Sequence, residues 1–313
     1  MMEKLVDVII PAYNAHDTIC STLDSICYQT MAEKLSVYIM DDKSDKDYED
    51  IVNKYKKYLD IKTIRLDENS GPGTAREVGI MNSTSKYIVF ADSDDYFACP
   101  NAIEYLYNEI SKKDLDLVSS VFMEIGKDDS YRHEIDEVYL HGKIYKREFL
   151  MDNNIHFNDI RTNEDNYYNT CIYLCEPKRN YLDYVTYCWD YNPNSITRRN
   201  NHEFSLSGVY SYIESITKAI EFGIKNNKNK SIIAERSFGA LNAIYYYYLE
   251  FGKEDFLKYA KVLRNYYMDN KEHFKYQKDL YKSQLGYSLM KYDLDMIIKP
   301  SITFGEFLDK AGE

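Results

Sequence analysis

Three of the acidic clusters along this chain could do chemistry: Asp41-Asp42, Asp92-Ser93-Asp94-Asp95 and Glu164-Asp165. Like charges brought together raise one another's pKa, so such clusters are costly to assemble without a cation. A hard divalent metal removes that cost and takes oxygen ligands. In an extended segment alternate residues point the same way, which makes Asp92 and Asp94, with Ser93 between them, a natural metal clamp. A diphosphate could complete the coordination. Asp-x-Asp alone is a weak signal, because an acidic turn has the same letters. Its position directly after the apolar run Tyr87–Ala91 adds weight. A second chemical feature is Asn69-Ser70-Gly71-Pro72-Gly73-Thr74-Ala75-Arg76. Gly71 and Gly73 suggest backbone close to a phosphate or sugar, at a helix start whose N–H groups are free. Arg76, in the first turn, can reach a diphosphate. A tight turn with a surface arginine fits the same letters equally well.

The elements that must position these groups alternate in type. Val6–Ile10, Leu35–Met40, Ile61–Leu66, Tyr87–Ala91 and Leu115–Val121 read as strands. Between them His16–Gln29, Tyr48–Tyr58, Thr74–Met81 and Asn101–Ser111 carry apolar residues at helical spacing. This alternation predicts an α/β fold with a mostly parallel sheet covered by helices on both faces. Ligands of such sheets sit outside the carboxyl ends of the strands, where the polar clusters fall. Residues 122–200 read as polar loops with short helices near Lys143–Asp152 and Glu164–Cys175. A C-terminal helical region follows, with candidates Ser205–Phe222, Ile232–Phe251, Glu254–Asp269 and His273–Met290, and a weakly amphipathic stretch at Phe304–Leu308.

Composition narrows the partners. A chain of 313 residues with 44% hydrophobic content supports a main domain and a smaller one. The net charge of −12 disfavours nucleic acid, which needs a basic face. No apolar stretch is long enough for a transmembrane segment, and the start lacks the shape of a signal peptide, so a cytoplasmic protein is expected. The six cysteines have no CxxC spacing and read as reduced, mostly buried residues. The 33 tyrosines read as compositional drift on half-buried surfaces. There is no G-x-G-x-x-G after the first strand and no G-x-x-x-x-G-K-[ST], which removes the best evidence for a dinucleotide-binding oxidoreductase or a P-loop enzyme.

Taken in order, PAYN, DD-x-S, NSGPGTAR-x-x-G, FADSDDYF, HGKIYKREFL and NEDNYYN resemble the family 2 glycosyltransferases with the GT-A fold, across roughly residues 5–200. Departures are Lys43, where the family commonly has glycine, and Glu77, where it commonly has asparagine. The resemblance implies a nucleotide-sugar-binding and catalytic domain over residues 1–200 and a helical C-terminal domain over 201–313. It implies a hexosyl- or N-acetylhexosaminyl-transferase. The end of the first strand (Pro11, Ala12, Tyr13) and Asp42, or its neighbour Asp41, would hold the base; an aspartate acceptor suits uracil, hence a UDP-sugar. Asp94 would ligate Mn²⁺ or Mg²⁺, with Asp92 near the ribose and metal. Arg76 would steady the diphosphate or the base.

The Glu164-Asp165 pair would supply the general base, with Asp165 as base and Glu164 as support, in an inverting single displacement. Acids at a helix N-terminus are the plain alternative for that pair. Lys143 and His141 would line the donor sugar, and Arg198 would belong to a segment closing over the diphosphate; a solvated basic turn fits Arg198-Arg199 as well. Trp189 could stack on a sugar but reads more readily as core. The acceptor is expected to be a cell-surface glycan or polymer, with lipid-linked sugar and protein left open. The helical tail could serve peripheral contact at the inner face of a membrane, or an oligomer. A non-catalytic sugar-nucleotide or carbohydrate-binding protein is the main rival. A nucleotidyltransferase is more distant, because Pro11–Asp17 lacks a glycine-rich basic phosphate loop.

Overall fold

The runs Val6–Ala12 (β1) and Leu35–Asp41 (β2) are buried along their whole length. Burial on both faces is what a central parallel strand requires, and it explains why these runs are continuously apolar rather than alternating. The computed structural model describes residues 3–127, 129–133, 137–192, 206–270, 272 and 304–313, and in it β1 and β2 pair in parallel. Strand β3 (Asp60–Arg65) lies parallel beyond β2, and β4 (Tyr87–Phe90) lies parallel on the other side of β1. Helices α1 (Ile19–Cys27), α2 (Glu49–Tyr55) and α3 (Pro72–Asn82) make the connections. The order β3-β2-β1-β4 reverses at β1, so the crevice between the carboxyl ends of β1 and β4 is a topological switch point.

Past β4 the chain adds β5 (Tyr96–Phe97), α4 (Ala102–Lys112), β6 (Leu117–Ile125) and β7 (Ser130–His133). It continues through β8 (Lys143–Lys146), α5 (Arg147–Asp152), α6 (Glu164–Leu174) and β9 (Arg179–Trp189). The nine-stranded sheet runs β3-β2-β1-β4-β8-β6-β9-β5, with β7 paired to β6. Because β8 is antiparallel to β4, its first residues sit beside the carboxyl end of β4. Strand β6 is antiparallel to β8 and β9 is parallel to β6, so the Trp189 end of β9 arrives at the same edge. The core between sheet and helices is built from residues such as Ile10, Leu23, Ile39, Val89, Leu106 and Phe122.

Two expectations are corrected here. The stretch Lys143–Asp152 is not one helix: Ile144 and Tyr145 are buried between β4 and β6, and the first four residues pair as strand β8 before α5 begins. The region expected as polar loops contains β7 and the 11-residue β9. Much of β9 faces solvent, so its apolar signal is confined to its last residues.

Contacts divide the chain into two compact units, Met1–Ser205 and Leu206–Glu313. In the second, α7 (Leu206–Lys225), α8 (Lys230–Phe251) and α9 (Phe256–Asn270) bury Ile213, Ile220, Leu241, Ile244, Phe256 and Leu263. Helix Phe304–Gly312 adds Phe307, whose ring lies 5.4 Å from that of Tyr245. The candidate helix His273–Met290 and the Arg198-Arg199 segment lie outside the described residues. Among the described residues no helix is long and apolar enough to cross a membrane.

Helix α3 lies close against the sheet because Gly79 has no side chain: a Cβ there would meet Ile9 Cγ2 at 2.5 Å and Met40 Cγ at 3.3 Å. Gly79→Ala is therefore expected to destabilise the protein by about 1–3 kcal/mol through overpacking. Urea denaturation would measure this, and a midpoint shared with the wild type would mean that α3 can lift off β1 freely.

Candidate active site

Directly after β4 the chain makes a turn closed by the Asp95 N–H donating to the Asp92 carbonyl, 3.2 Å. The extended segment expected for Asp92-Ser93-Asp94 is not formed. The turn instead brings Asp95, three residues on, to the same side as Asp92. His141, just before β8, completes the group: its Nε2 lies 3.5 Å from Asp92 Oδ2 and 3.7 Å from Asp95 Oδ2. Asp94 turns to Asn192, whose side-chain amide donates to Asp94 Oδ2 at 2.7 Å. Ser93 is the second residue of the turn and is partly buried. Gly142, with φ of +62°, lets the chain pass Ser120, because a Cβ would fall 2.8 Å from Ser120 Oγ. That close passage sets His141 at the edge.

The Asp92, Asp95 and His141 ligand atoms all lie within 4.8 Å of one another. A divalent ion with bonds of about 2.0–2.2 Å needs neighbouring ligand atoms roughly 3–4.4 Å apart. Burial pushes the Asp95 carboxyl well above its ordinary range, and the Asp92 and Asp94 carboxylates add to the effect. The same two causes, burial and Asp92, raise Asp94. Two carboxylates beside a nitrogen donor form a donor set that fits a divalent cation. His141 Nδ1 is buried and has no hydrogen-bond partner. Its ring stacks against those of Tyr139 and Tyr187 at 5.6 and 4.9 Å, with Trp189 at 5.5 Å. Trp189 thus packs behind the acidic turn.

Arg76, one turn into α3, is 5% exposed. Its Nη2 donates to Asp92 Oδ1 at 2.6 Å and its Nη1 to Glu164 Oε1 at 2.7 Å. The guanidinium expected to reach a diphosphate is thus clamped between two carboxylates of the protein. Burial disfavours the Asp92 charge, but Arg76 outweighs it and, with His141, holds the carboxyl below the usual carboxylate range. Glu164 has the opposite outcome: burial wins over Arg76 and raises it. Asp165, next in α6, is pushed up to about 7, first by burial and then by the Glu164 carboxylate. Its Oδ1 accepts from the Asn166 N–H at 2.7 Å.

The loop leading into α6 is fastened to α3. Glu77 accepts from the Phe157 N–H at 2.9 Å and pairs with His156 Nδ1 at 2.7 Å. Arg161 donates to the Asn69 carbonyl at 3.1 Å. The space a Gly73 side chain would need is filled by Glu164 Cγ at 3.1 Å and the Asn158 carbonyl at 3.2 Å. The glycine at 73 therefore serves an approach between α3 and α6. Gly71 has φ of +91°, a backbone that only glycine adopts readily.

At the other end of the crevice, the Ser70 and Gly71 N–H groups donate to the two Asp42 oxygens, each at 2.8 Å. The Gly71 amide, expected to face a phosphate or sugar, is thus taken by Asp42. Asp41 is fully buried: it accepts from the Ser44 N–H at 2.8 Å and from its cross-strand partner Arg65 at 2.5 Å. Pro11 and Ala12 are buried in β1, while Tyr13 is 53% exposed just beyond it. Lys143 is buried, with Nζ donating to the Tyr139 carbonyl. Arg198 is not among the described residues. Asp95 and Tyr187 were missed in the sequence. The only local signal for Asp95 was the fourth letter of DSDD, and nothing local marks Tyr187.

A mostly parallel, curled α/β sheet with an acidic, cation-fitting group at its carboxyl edge is the GT-A architecture. A family model described as Glycosyl transferase family 2 matches residues 7–164, and the chain belongs to that family of enzymes. Poly(ribitol-phosphate) beta-glucosyltransferase of Bacillus spizizenii is 30% identical over 238 residues, 69% of this chain. The chain spans 37% of that relative's length. A crystal structure of S. aureus TarS 1-349 in complex with UDP matches with a TM-score of 0.63 at 20% identity, over 84% of this chain and 80% of that one. The mannosyltransferase PcManGT from Pyrobaculum calidifontis, in complex with GDP-Man and Mn²⁺, matches with a TM-score of 0.57 at 15% identity, over 99% of this chain and 86% of that one.

Removing one member of a buried ion network leaves the others uncompensated. Arg76→Met is expected to cost about 3–5 kcal/mol, measured by thermal or urea denaturation. In a Glu164→Gln background the same change should cost less, and an equal cost would show that the pair is not coupled.

Proposed function

We propose that the chain transfers a hexose or N-acetylhexosamine from a UDP-sugar to a hydroxyl of a polyol-phosphate or similar cell-surface polymer, with inversion at the anomeric carbon. The observation that carries this reading is a carboxyl pushed up to about 7, on Asp165, linked through Glu164 and Arg76 to the cation-fitting group at Asp92. A base of that pKa is half ionised at neutral pH and strong enough to take a hydroxyl proton. The relative named for poly(ribitol-phosphate) and the neighbour bound to UDP support the acceptor and donor classes. We place the reaction in the cytoplasm, at the inner face of the membrane if the acceptor is lipid-linked.

Each part of the crevice has a task under this reading. Tyr13 offers an exposed ring for stacking on the base, and Asp42, fixed by Ser70 and Gly71, presents lone pairs left over from those bonds. Asp92, Asp95 and His141 hold the cation, with Asp94 and Ser93 beside them in the turn. When bound, a divalent ion offsets charge on the leaving diphosphate. A histidine beside two carboxylates favours Mn²⁺ over Mg²⁺, whose ligands are oxygens. Asp165 accepts the acceptor's proton while the acceptor oxygen bonds to the anomeric carbon. The bond from that carbon to the diphosphate breaks, and its electron pair leaves with UDP. Arg76 keeps Asp92 ionised and holds Asp92 and Glu164 in place.

Thermal stability measured against UDP, UDP-glucose and UDP-N-acetylglucosamine, with and without Mn²⁺, tests the donor. A ligand at a hundredfold its dissociation constant should add about 2.7 kcal/mol. The shift should need Mn²⁺ and should be lost in Asp92→Asn; no shift with any uridine compound sinks the donor class.

Asp165→Asn should keep donor binding and lower turnover about 10²–10⁴-fold. Unchanged function in that variant would favour a binding protein. Turnover in the wild type should fall tenfold per pH unit below about 7 as the base is protonated. The sign for stability is opposite. A carboxyl raised on folding costs stability as pH climbs from about 4, its unfolded value, through about 7. Asp165→Asn should therefore melt higher than wild type at pH 8, and the difference should shrink below about pH 4.

A further inference from the structure

Asp92 and Asp95 lie in one turn after β4 and His141 lies just before β8, yet all three touch one side chain. The Asp92 N–H donates to Tyr187 Oη at 2.9 Å. Tyr187 Oη in turn donates to Asp95 Oδ2 at 2.8 Å. The His141 imidazole lies on the Tyr187 ring, centroids 4.9 Å apart and planes within 14°. The other Asp95 oxygen accepts from the N–H of Asp190, just past the end of the same strand, at 2.8 Å. Tyr187 is 0% exposed, so no water substitutes for these bonds. A phenol has one proton to give and lone pairs to receive, and here both capacities are used by the acidic turn.

Packing alone does not require the hydroxyl. The Tyr187 ring meets Phe97 edge-on at 5.7 Å, a contact that phenylalanine would make equally well. The oxygen is what couples β9 to the turn after β4. It fixes the backbone at Asp92 and the carboxylate of Asp95 relative to each other, while the ring face fixes the imidazole. We propose that Tyr187 is a positioning residue for the divalent cation, setting the spacing of Asp92, Asp95 and His141. This rests on the metal-dependent reading above. Groups that orient metal ligands commonly change metal affinity 10–100-fold when lost.

The experiment is Mn²⁺ titration of wild type and Tyr187→Phe, followed by the electron paramagnetic resonance of free Mn²⁺, with and without UDP. The expected result is a site in the wild type and an affinity at least about tenfold weaker in the variant. Turnover of the variant should recover on raising Mn²⁺, which a general packing defect would not produce. Equal affinity in the two proteins overturns the positioning role while leaving the metal reading intact. No Mn²⁺ binding to the wild type, even with UDP, overturns the metal reading and this proposal with it. Should the variant not fold, hydrogen exchange on the wild type decides: the Asp92 and Asp190 amides, both tied to the Tyr187–Asp95 pair, should exchange more slowly with Mn²⁺ bound. Exchange at those two amides that ignores bound Mn²⁺ overturns the proposal.

Discussion

One buried guanidinium holds the crevice in shape. Arg76 reaches a carboxylate on the turn after β4 with one nitrogen and a carboxylate at the start of α6 with another. Lysine could not do this, because an ammonium is a compact point charge and the fork is planar and always ionised. Burying three charges together adds little net stability, since desolvation offsets most of the attraction. It does restrict geometry, because any movement of α3 or α6 leaves a charge unpaired. The glycines of α3 follow from this constraint. Gly79 lets the helix sink against Ile9, and Gly73 lets Glu164 approach closely enough to be held.

That constraint also decides which charges are left for a ligand. With Arg76 committed to the protein's own carboxylates, it does not serve as a free cation for a diphosphate. The chain carries a net charge of −12, and the acidic turn adds three carboxylates at the place where an anionic donor would have to sit. An anion meets repulsion at such a surface, which a bound cation would offset. The raised Asp94 and Asp95 carboxyls express this electrostatic conflict within the protein itself. Sites kept under such strain are drawn from function rather than stability.

The parallel half of the sheet was legible because its strands are buried on both faces, and continuous apolar runs such as Val6–Ala12 record that burial directly. The motif-bearing ends were legible for the same reason: a polar cluster after such a run has to lie at the sheet's carboxyl edge. The antiparallel additions were not. Strand β9 is exposed along much of its length, and Lys143–Lys146 is too short to show a period of two against a helical one. Within the site, the choice between Asp94 and Asp95 depends on a single backbone hydrogen bond that converts an extended segment into a turn. Tyr187 was hidden among 33 tyrosines that composition explains well, and only its place opposite the turn distinguishes it. The Gly71 backbone reads as a ligand contact in the sequence because its partner, Asp42, lies 29 residues away.

Glu164 connects the scaffold to Asp165. Toward α3 it is the anchor for Arg76; toward α6 it is the negative neighbour that, after burial, most raises Asp165. Its own ionisation is contested, with burial working against Arg76. Arg76 acts on Asp165 in two opposed ways, lowering it directly and sustaining the Glu164 charge that raises it, while burial remains the largest cause of the shift. The packing of α3 on the sheet, where Gly79 meets Ile9, thereby sets where Arg76 stands between Asp92 and Glu164 and what charge Asp165 feels from both.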